Sequence, residues 1–205
     1  AVHWVAVVVM ILGSLPFVLY VATLRGNYRA LLRDEQVRGF IKVLLISWLA
    51  LASWYTLTTE LHWLEALRHV AVNITSVMTT TGFAVGDYHL WGPFASMIFF
   101  YLGFVGGCSG STAGGLKIFR FQVAYILLKA NLKQLVHPRA VIKQQYNNHN
   151  LDEDIVRSLI TFSFFFTITI GVLALALTLV GLDWVTALTG AATAVCNVGP
   201  GLGPI

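Results

Sequence analysis

Residues Ser158–Leu182, SLITFSFFFTITIGVLALALTLVGL, run for 25 positions without one charged side chain. A helix rises ~1.5 Å per residue, and crossing a hydrocarbon core ~30 Å thick takes about 20 apolar residues. This segment therefore predicts a membrane span. Three further uncharged stretches predict more: Ala1–Leu24, Val43–Thr59 (with its flanks) and Tyr88–Leu116. Only 11% of the chain is charged and 57% is hydrophobic, against about 25% charged in a soluble domain. With a mean hydropathy of +0.76, the composition excludes a water-soluble globule and points to an all-α integral membrane protein.

The charges orient it. Arg25, Arg29, Arg33, Arg38 and Lys42 lie between the first two spans. Lys117, Arg120, Lys129, Lys133, Arg139, Lys143 and Arg157 lie between the third and fourth. Twelve of the 13 Lys and Arg thus share one side, leaving Arg68 on the other with Glu60, Glu65, Asp87 and Asp183. The positive-inside rule assigns 25–42 and 117–157 to the cytoplasm. The net charge of +4 is then a topology signal and calls for no nucleic acid. Trp54, Trp63, Trp91 and Trp184 fall at the predicted outer boundary, as an aromatic belt does. Cys108 and Cys196 have no paired spacing and suggest neither a disulfide nor a metal site. There is no initiating Met or basic n-region to suggest a cleavable signal peptide, and both ends read as internal to a longer polypeptide.

After two of the spans the sequence does something that a plain loop does not. Leu61-His62-Trp63-Leu64-Glu65-Ala66-Leu67 leads through a helical pattern to Thr79-Thr80-Thr81-Gly82-Phe83. Leu182-Asp183-Trp184-Val185-Thr186-Ala187-Leu188 leads likewise to Asn197-Val198-Gly199-Pro200-Gly201. The order of parts is the same twice, although Leu61 to Gly82 is four residues longer than Leu182 to Gly199. A half-helix too short to cross and too apolar for water is expected to re-enter the membrane, where irregular backbone is tolerated only beside protein or a watery cavity. The backbone carbonyls after it would face a pore and replace a cation's hydration shell. The helix C-terminus adds partial negative charge, and Gly82 and Gly199 supply unusual dihedrals. The plainer alternative is two extracellular turns capped by glycine.

The third span carries Gly106-Gly107-Cys108-Ser109-Gly110-Ser111-Thr112-Ala113-Gly114-Gly115, five glycines in ten residues. Each interior glycine costs a helix about 1 kcal/mol relative to alanine, so the span is expected to break here, within the membrane or near its inner face. A flexible polar loop beneath a filter is a natural gate; close helix packing through small residues is the alternative.

These motifs, with Leu32-Arg33-Asp34-Glu35-Gln36-Val37-Arg38, His137-Pro138-Arg139-Ala140-Val141-Ile142 and Leu202-Gly203, resemble the TrkH branch of the Trk/Ktr/HKT cation transporters from about Leu15 onward. The resemblance implies repeated helix–pore-helix–filter–helix units around a central pore. Residues 1–38 would end one unit and link to the next, 39–135 form a complete unit, 136–154 a cytoplasmic connector, and 155–205 begin a last unit. It also implies ion-binding filter residues Thr80, Thr81, Gly82, Phe83, Asn197, Val198 and Gly199, with K+ as the transported ion. The gate would comprise Gly106, Gly107, Ser109, Gly110, Ser111, Thr112, Gly114 and Gly115. Further implied are a homodimer in the bilayer of a bacterial inner membrane, symport or passive uptake, no covalent cofactor, and a cytoplasmic TrkA-like ring through which a nucleotide acts. Glycine at 82 fits the potassium-preferring pattern of the family; a sodium-selective or unselective channel of the same fold is the neighbouring reading.

Two enzyme-like readings compete. Gly107-Cys108-Ser109-Gly110 fits the motif of rhomboid-like intramembrane proteases, with Ser109 as nucleophile, but such a serine needs a base within reach, and all six histidines lie near span ends or in loops, none of them after a glycine inside a span. A phosphate loop fails because Leu116 precedes Lys117 and Ile118 follows it. Lys117 and Arg120 read as inner-interface markers, Asn73 as a satisfied polar group of the half-helix, and Asp152-Glu153-Asp154 as a helix start. Pro16 is expected to kink the first span.

Overall fold

The computed structural model describes residues 2–59, 61–86, 88–138, 143–147 and 149–201. Glu60, Asp87, Arg139–Ile142 and Leu202–Gly203, used above, lie outside them.

The described chain is helical almost throughout. Helix α1 (Val2–Gly13) and α2 (Phe17–Leu24) are followed by a short α3 (Arg29–Arg33) and the long α4 (Glu35–Thr58). Half-helix α5 (Trp63–Met78) comes next, then a turn at Tyr88–Trp91 and α6 (Pro93–Phe104). After a non-helical excursion come α7 (Ile118–Val136), α8 (Glu153–Leu179) and a second half-helix, α9 (Trp184–Cys196).

Two helices, α4 and α8, are long and apolar enough to cross a membrane. Each starts at an acid: Asp34 accepts the N–H groups of Gln36 and Val37 at the head of α4. Asp152 precedes α8, with Glu153 and Asp154 in its first turn, where negative side chains complement the macrodipole. The first expected span is broken by 93° between α1 and α2, far more than a proline kink. Its corner at Ser14–Pro16 is an anchor for another part of the chain. The third is also not one helix. It ends at Phe104 and resumes at Ile118, and the resumed helix α7 carries Arg120, Lys129 and Lys133, charges that read as loop in the sequence.

Helix α5 sits between α1, α4 and α6, while α9 packs on α8 and α6. The C-terminal half of α5, Val70–Met78, is buried all round, as befits a helix enclosed by others and not one lying on a surface. The core joins Phe40, Leu44 and Leu51 of α4 to Ile74 and Met78 of α5, and reaches Cys108 and Cys196. By contrast α8 buries only Ile170 and exposes Phe164, Phe165, Val172 and Leu175. That is an apolar flank fit for lipid or further protein. The connector 136–154 holds a small hairpin, β3 (Gln145–Tyr146) against β4 (His149–Asn150).

Candidate functional site

Both half-helices end in the same backbone turn. At α5, the Thr81 N–H donates to Ser76 O (2.9 Å) and the Thr80 N–H to Val77 O (3.1 Å). At α9, the Val198 N–H donates to Thr193 O (2.9 Å) and the Asn197 N–H to Ala194 O (3.1 Å). This six-to-one, five-to-two pair is the Schellman motif, which needs a left-handed residue just past the helix. Thr80 (φ +55°) and Asn197 (φ +58°) hold that position, and two residues on, Gly82 (φ +80°) and Gly199 (φ +102°) also take positive φ. The turns align Thr80-Thr81-Gly82 with Asn197-Val198-Gly199, so the four-residue difference seen in the sequence lies inside the half-helices. Since 3.6 residues make a turn, α5 is about one turn longer and keeps its faces in register.

The two segments lie side by side. A Cβ added at Gly82 would sit 2.5 Å from Val198 O and 3.5 Å from Pro200. Beyond Gly82 the chain is tied back to its own helix: buried Asn73 donates from Nδ2 to Val85 O (3.0 Å) and accepts the Val85 N–H at Oδ1 (2.9 Å). Thr81 is exposed and its hydroxyl meets that of Thr79 at 2.7 Å; the Phe83 ring is exposed as well.

The glycine-rich loop docks onto both segments. The Gly114 N–H donates to Thr80 Oγ1 (2.8 Å), and a side chain at Gly114 would collide with Cys196 O and crowd Asn197 Cβ. Thr80 is β-branched, so left-handed backbone is costly for it; its hydroxyl is put to use holding the loop. The loop closes on itself through a parallel bridge, β1 (Val105–Gly106) beside β2 (Leu116–Lys117). Gly106 and Gly107 pass too near Gly114 O, Ala113 and Ser14 to carry a Cβ. At Gly115 the φ is +68° and at Gly110 +77°.

On its far side the loop uses the broken first span. The Cys108 N–H donates to Ser14 O (2.9 Å), the Phe17 N–H to Gly110 O (3.0 Å), and the Thr112 hydroxyl to Gly13 O (2.9 Å). Ser111 Oγ donates to Cys108 O (2.7 Å), and the Ser109 N–H donates to Gln36 Oε1 (2.8 Å). So Gly82 meets Val198, and the loop lies against Thr80 and Asn197 and is hydrogen-bonded to Gly13, Ser14 and Gln36. The sequence reading missed Gly13, Ser14 and Gln36; Asn73 is the satisfied polar group expected of it, with Val85 as its partner. Among the described residues no three His, Cys, Asp or Glu side chains gather as metal ligands.

Away from the spans, Asp183 caps α9 by accepting the Thr186 N–H (3.1 Å). Its carboxyl is held below the usual range, mainly by hydrogen bonding from Thr186. Tyr146 in the hairpin is buried, and that burial, with Asp34 and Glu35 nearby, pushes its phenol up, so it stays a neutral donor.

Comparison with known proteins speaks to the family and the fold. The family model for TrkH, described as a cation transport protein, matches residues 1–205. The Trk system potassium uptake protein TrkI of Halomonas elongata is 54% identical over 200 residues, covering 98% of this chain and 40% of that protein. TrkG of Escherichia coli is 31% identical over 187 residues, covering 90% and 38%. The crystal structure of the potassium transporter TrkH from Vibrio parahaemolyticus superposes with a TM-score of 0.91 at 27% identity, covering 98% of this chain and 44% of that one. The chain thus spans about two fifths of the length of the curated relatives it matches.

Proposed function

The chain belongs to the TrkH family of cation transport proteins, and on that premise we propose that it forms part of a potassium uptake pathway. The family is one of transporters and not of hydrolases, which retires the nucleophile reading of Ser109, and the chain is part of a multi-pass membrane protein. In this reading Thr80, Thr81, Gly82 and Phe83, with Asn197, Val198 and Gly199, line a filter for K+. The observation that carries it is the paired Schellman turn: two half-helices end identically, and their following segments meet at Gly82 and Val198 O. The C-terminal partial charge of each helix favours a cation at that meeting point, and backbone carbonyls can stand in for hydration water. No bond is made or broken.

The loop 106–115 is the gate of this proposal, because it touches both filter segments at Gly114 and its glycines permit that close approach. Entry is from the side opposite the basic segments, across a bacterial inner membrane. A homodimer and a TrkA-like cytoplasmic ring that senses nucleotide complete the reading, and symport with another ion is compatible with it.

The test is rubidium uptake by the full-length polypeptide in cells without their own potassium uptake, compared with Gly82→Ser. The added side chain meets Val198 O, so uptake or its preference for K+ over Na+ is expected to fall by about tenfold. An unchanged rate and preference would remove Gly82 from the ion's path. Equal uptake of Na+ and K+ by the unaltered protein would favour the unselective channel.

A further inference from the structure

The hairpin β3–β4 is joined to the glycine-rich loop by an unbroken run of hydrogen bonds through the start of α4. Asn147, at the hairpin's turn with φ +47°, donates from Nδ2 to Asp34 Oδ2 (3.0 Å) and accepts the Glu35 N–H at Oδ1 (3.1 Å). The other oxygen of Asp34 caps α4, accepting the Gln36 N–H (2.9 Å) and the Val37 N–H (3.1 Å). Gln36 then extends its side chain to accept the Ser109 N–H of the loop (2.8 Å).

A second arm reaches the same turn from α7. The Tyr146 hydroxyl donates to Gln122 Oε1 (2.6 Å), and Gln122 Nε2 donates to Glu35 O (2.7 Å). Tyr146 is fixed by burial and by an edge-on contact with Phe119 (5.1 Å). Residue 39 is glycine where Gln122 crosses α4; a Cβ there would strike the amide. Apart from the local cap at Asp34, the partners along the direct arm are 73 to 113 residues apart in the chain, so local turn formation does not account for them.

We propose that Gln36 is a positioning residue for the 106–115 loop and that the 145–150 hairpin sets it through Asp34 and Gln122, so that displacing the hairpin releases the loop. This rests on the reading of that loop as a gate. In the docked position Gly114 sits against Thr80 and Asn197, which makes it the closed position, and the hairpin a latch that keeps it closed.

The native Cys108 reports loop position directly, because it is fully buried when the loop is docked. The experiment measures site-resolved N-ethylmaleimide labelling of Cys108 in membranes containing the full-length polypeptide, alongside rubidium uptake. Gln36→Ala removes the one hydrogen bond to the loop and is expected to raise labelling and uptake about fivefold; Asn147→Ala, which acts on the loop only through Asp34 and Gln36, is expected to raise both by up to the same factor. Gln36→Glu keeps an acceptor for the Ser109 N–H and should restore the unaltered rate. The double variant should label no faster than Gln36→Ala alone.

Unchanged labelling in Gln36→Ala, or effects of the two alanine variants that multiply independently, would overturn the latch. Faster labelling with unchanged uptake would keep the latch and overturn the loop as gate. Should Gln36→Ala not reach the membrane, Tyr146→Phe tests the second arm, since it removes one hydroxyl and keeps the ring against Phe119; normal labelling there would count against the proposal.

Discussion

The segments after α5 and α9 share a backbone and differ in nearly everything around it. Both leave the helix through a left-handed residue and reach a glycine of positive φ two positions later. The first is scaffolded at three points: the C-terminal half of α5 is encased, Asn73 clamps the return strand, and Gly82 abuts Val198, while Thr81 and Phe83 stay exposed. The second is barer. Alignment of the turns sets Gly190 opposite Asn73, and a Cβ at Gly199 would meet nothing within 4 Å among the described residues. The common part is thus what the helix terminus dictates, whereas the surroundings are negotiable.

The largest expected effect tests that equivalence. In a ring of like units, Gly199 faces a further segment as Gly82 faces Val198. Gly82→Ala and Gly199→Ala should then each lower rubidium uptake by at least about tenfold. A mild effect confined to Gly199→Ala would break the comparison and leave one filter segment where two are read.

The Asn73 clamp has no described counterpart in the second segment, so Asn73→Leu should separate the two. It strands the Val85 N–H and C=O, at about 1–3 kcal/mol for each buried group left unpaired. The thermal midpoint of the purified full-length protein should drop by several degrees. A midpoint equal to that of the unaltered protein would show that water replaces the clamp.

The smallest effect distinguishes the helix starts. Asp183 caps α9 with a carboxylate, while α5 begins at His62, whose Nδ1 accepts the Leu64 N–H at 3.4 Å. The Asp183 carboxyl titrates below its ordinary value in the folded state. Its contribution is therefore present above the unfolded pKa and lost as pH falls through the folded one. Asp183→Asn should flatten the decline in thermal midpoint below the ordinary carboxylate range by a small but measurable amount. An identical decline would assign that acid sensitivity elsewhere.

Much of this was open to a reader of the sequence, for definite reasons. Uncharged length reveals α4 and α8 because bilayer thickness demands it. Gly82 and Gly199 stand out because few other residues accept their dihedrals. The 93° corner at Ser14–Pro16 was hidden: its freed backbone groups are satisfied by Cys108, Gly110 and Thr112, about 100 residues away. The charges of α7 marked its cytoplasmic side, and the unit expected over 39–135 allowed for a helix there, but no uncharged run revealed where it starts. Thr80 was the least legible, since a β-branched residue is the last that one expects in left-handed backbone. Gln36 carried no pattern, because a lone glutamine at a helix start becomes meaningful only when a partner is seen.

The parallel bridge between Val105–Gly106 and Leu116–Lys117 has a mechanical consequence. It brings the exit of the glycine-rich excursion back beside its entrance, and the Ile118 N–H to Gly107 O bond (3.1 Å) fastens the return. The end of α6 is thereby tied to the start of α7, and the residues between hang from that tie like a hatch in a frame. If the loop opens as proposed, the bridge lets it move without separating the end of α6 from the start of α7, and the bonds to break are those that dock it on Ser14, Gln36 and Thr80.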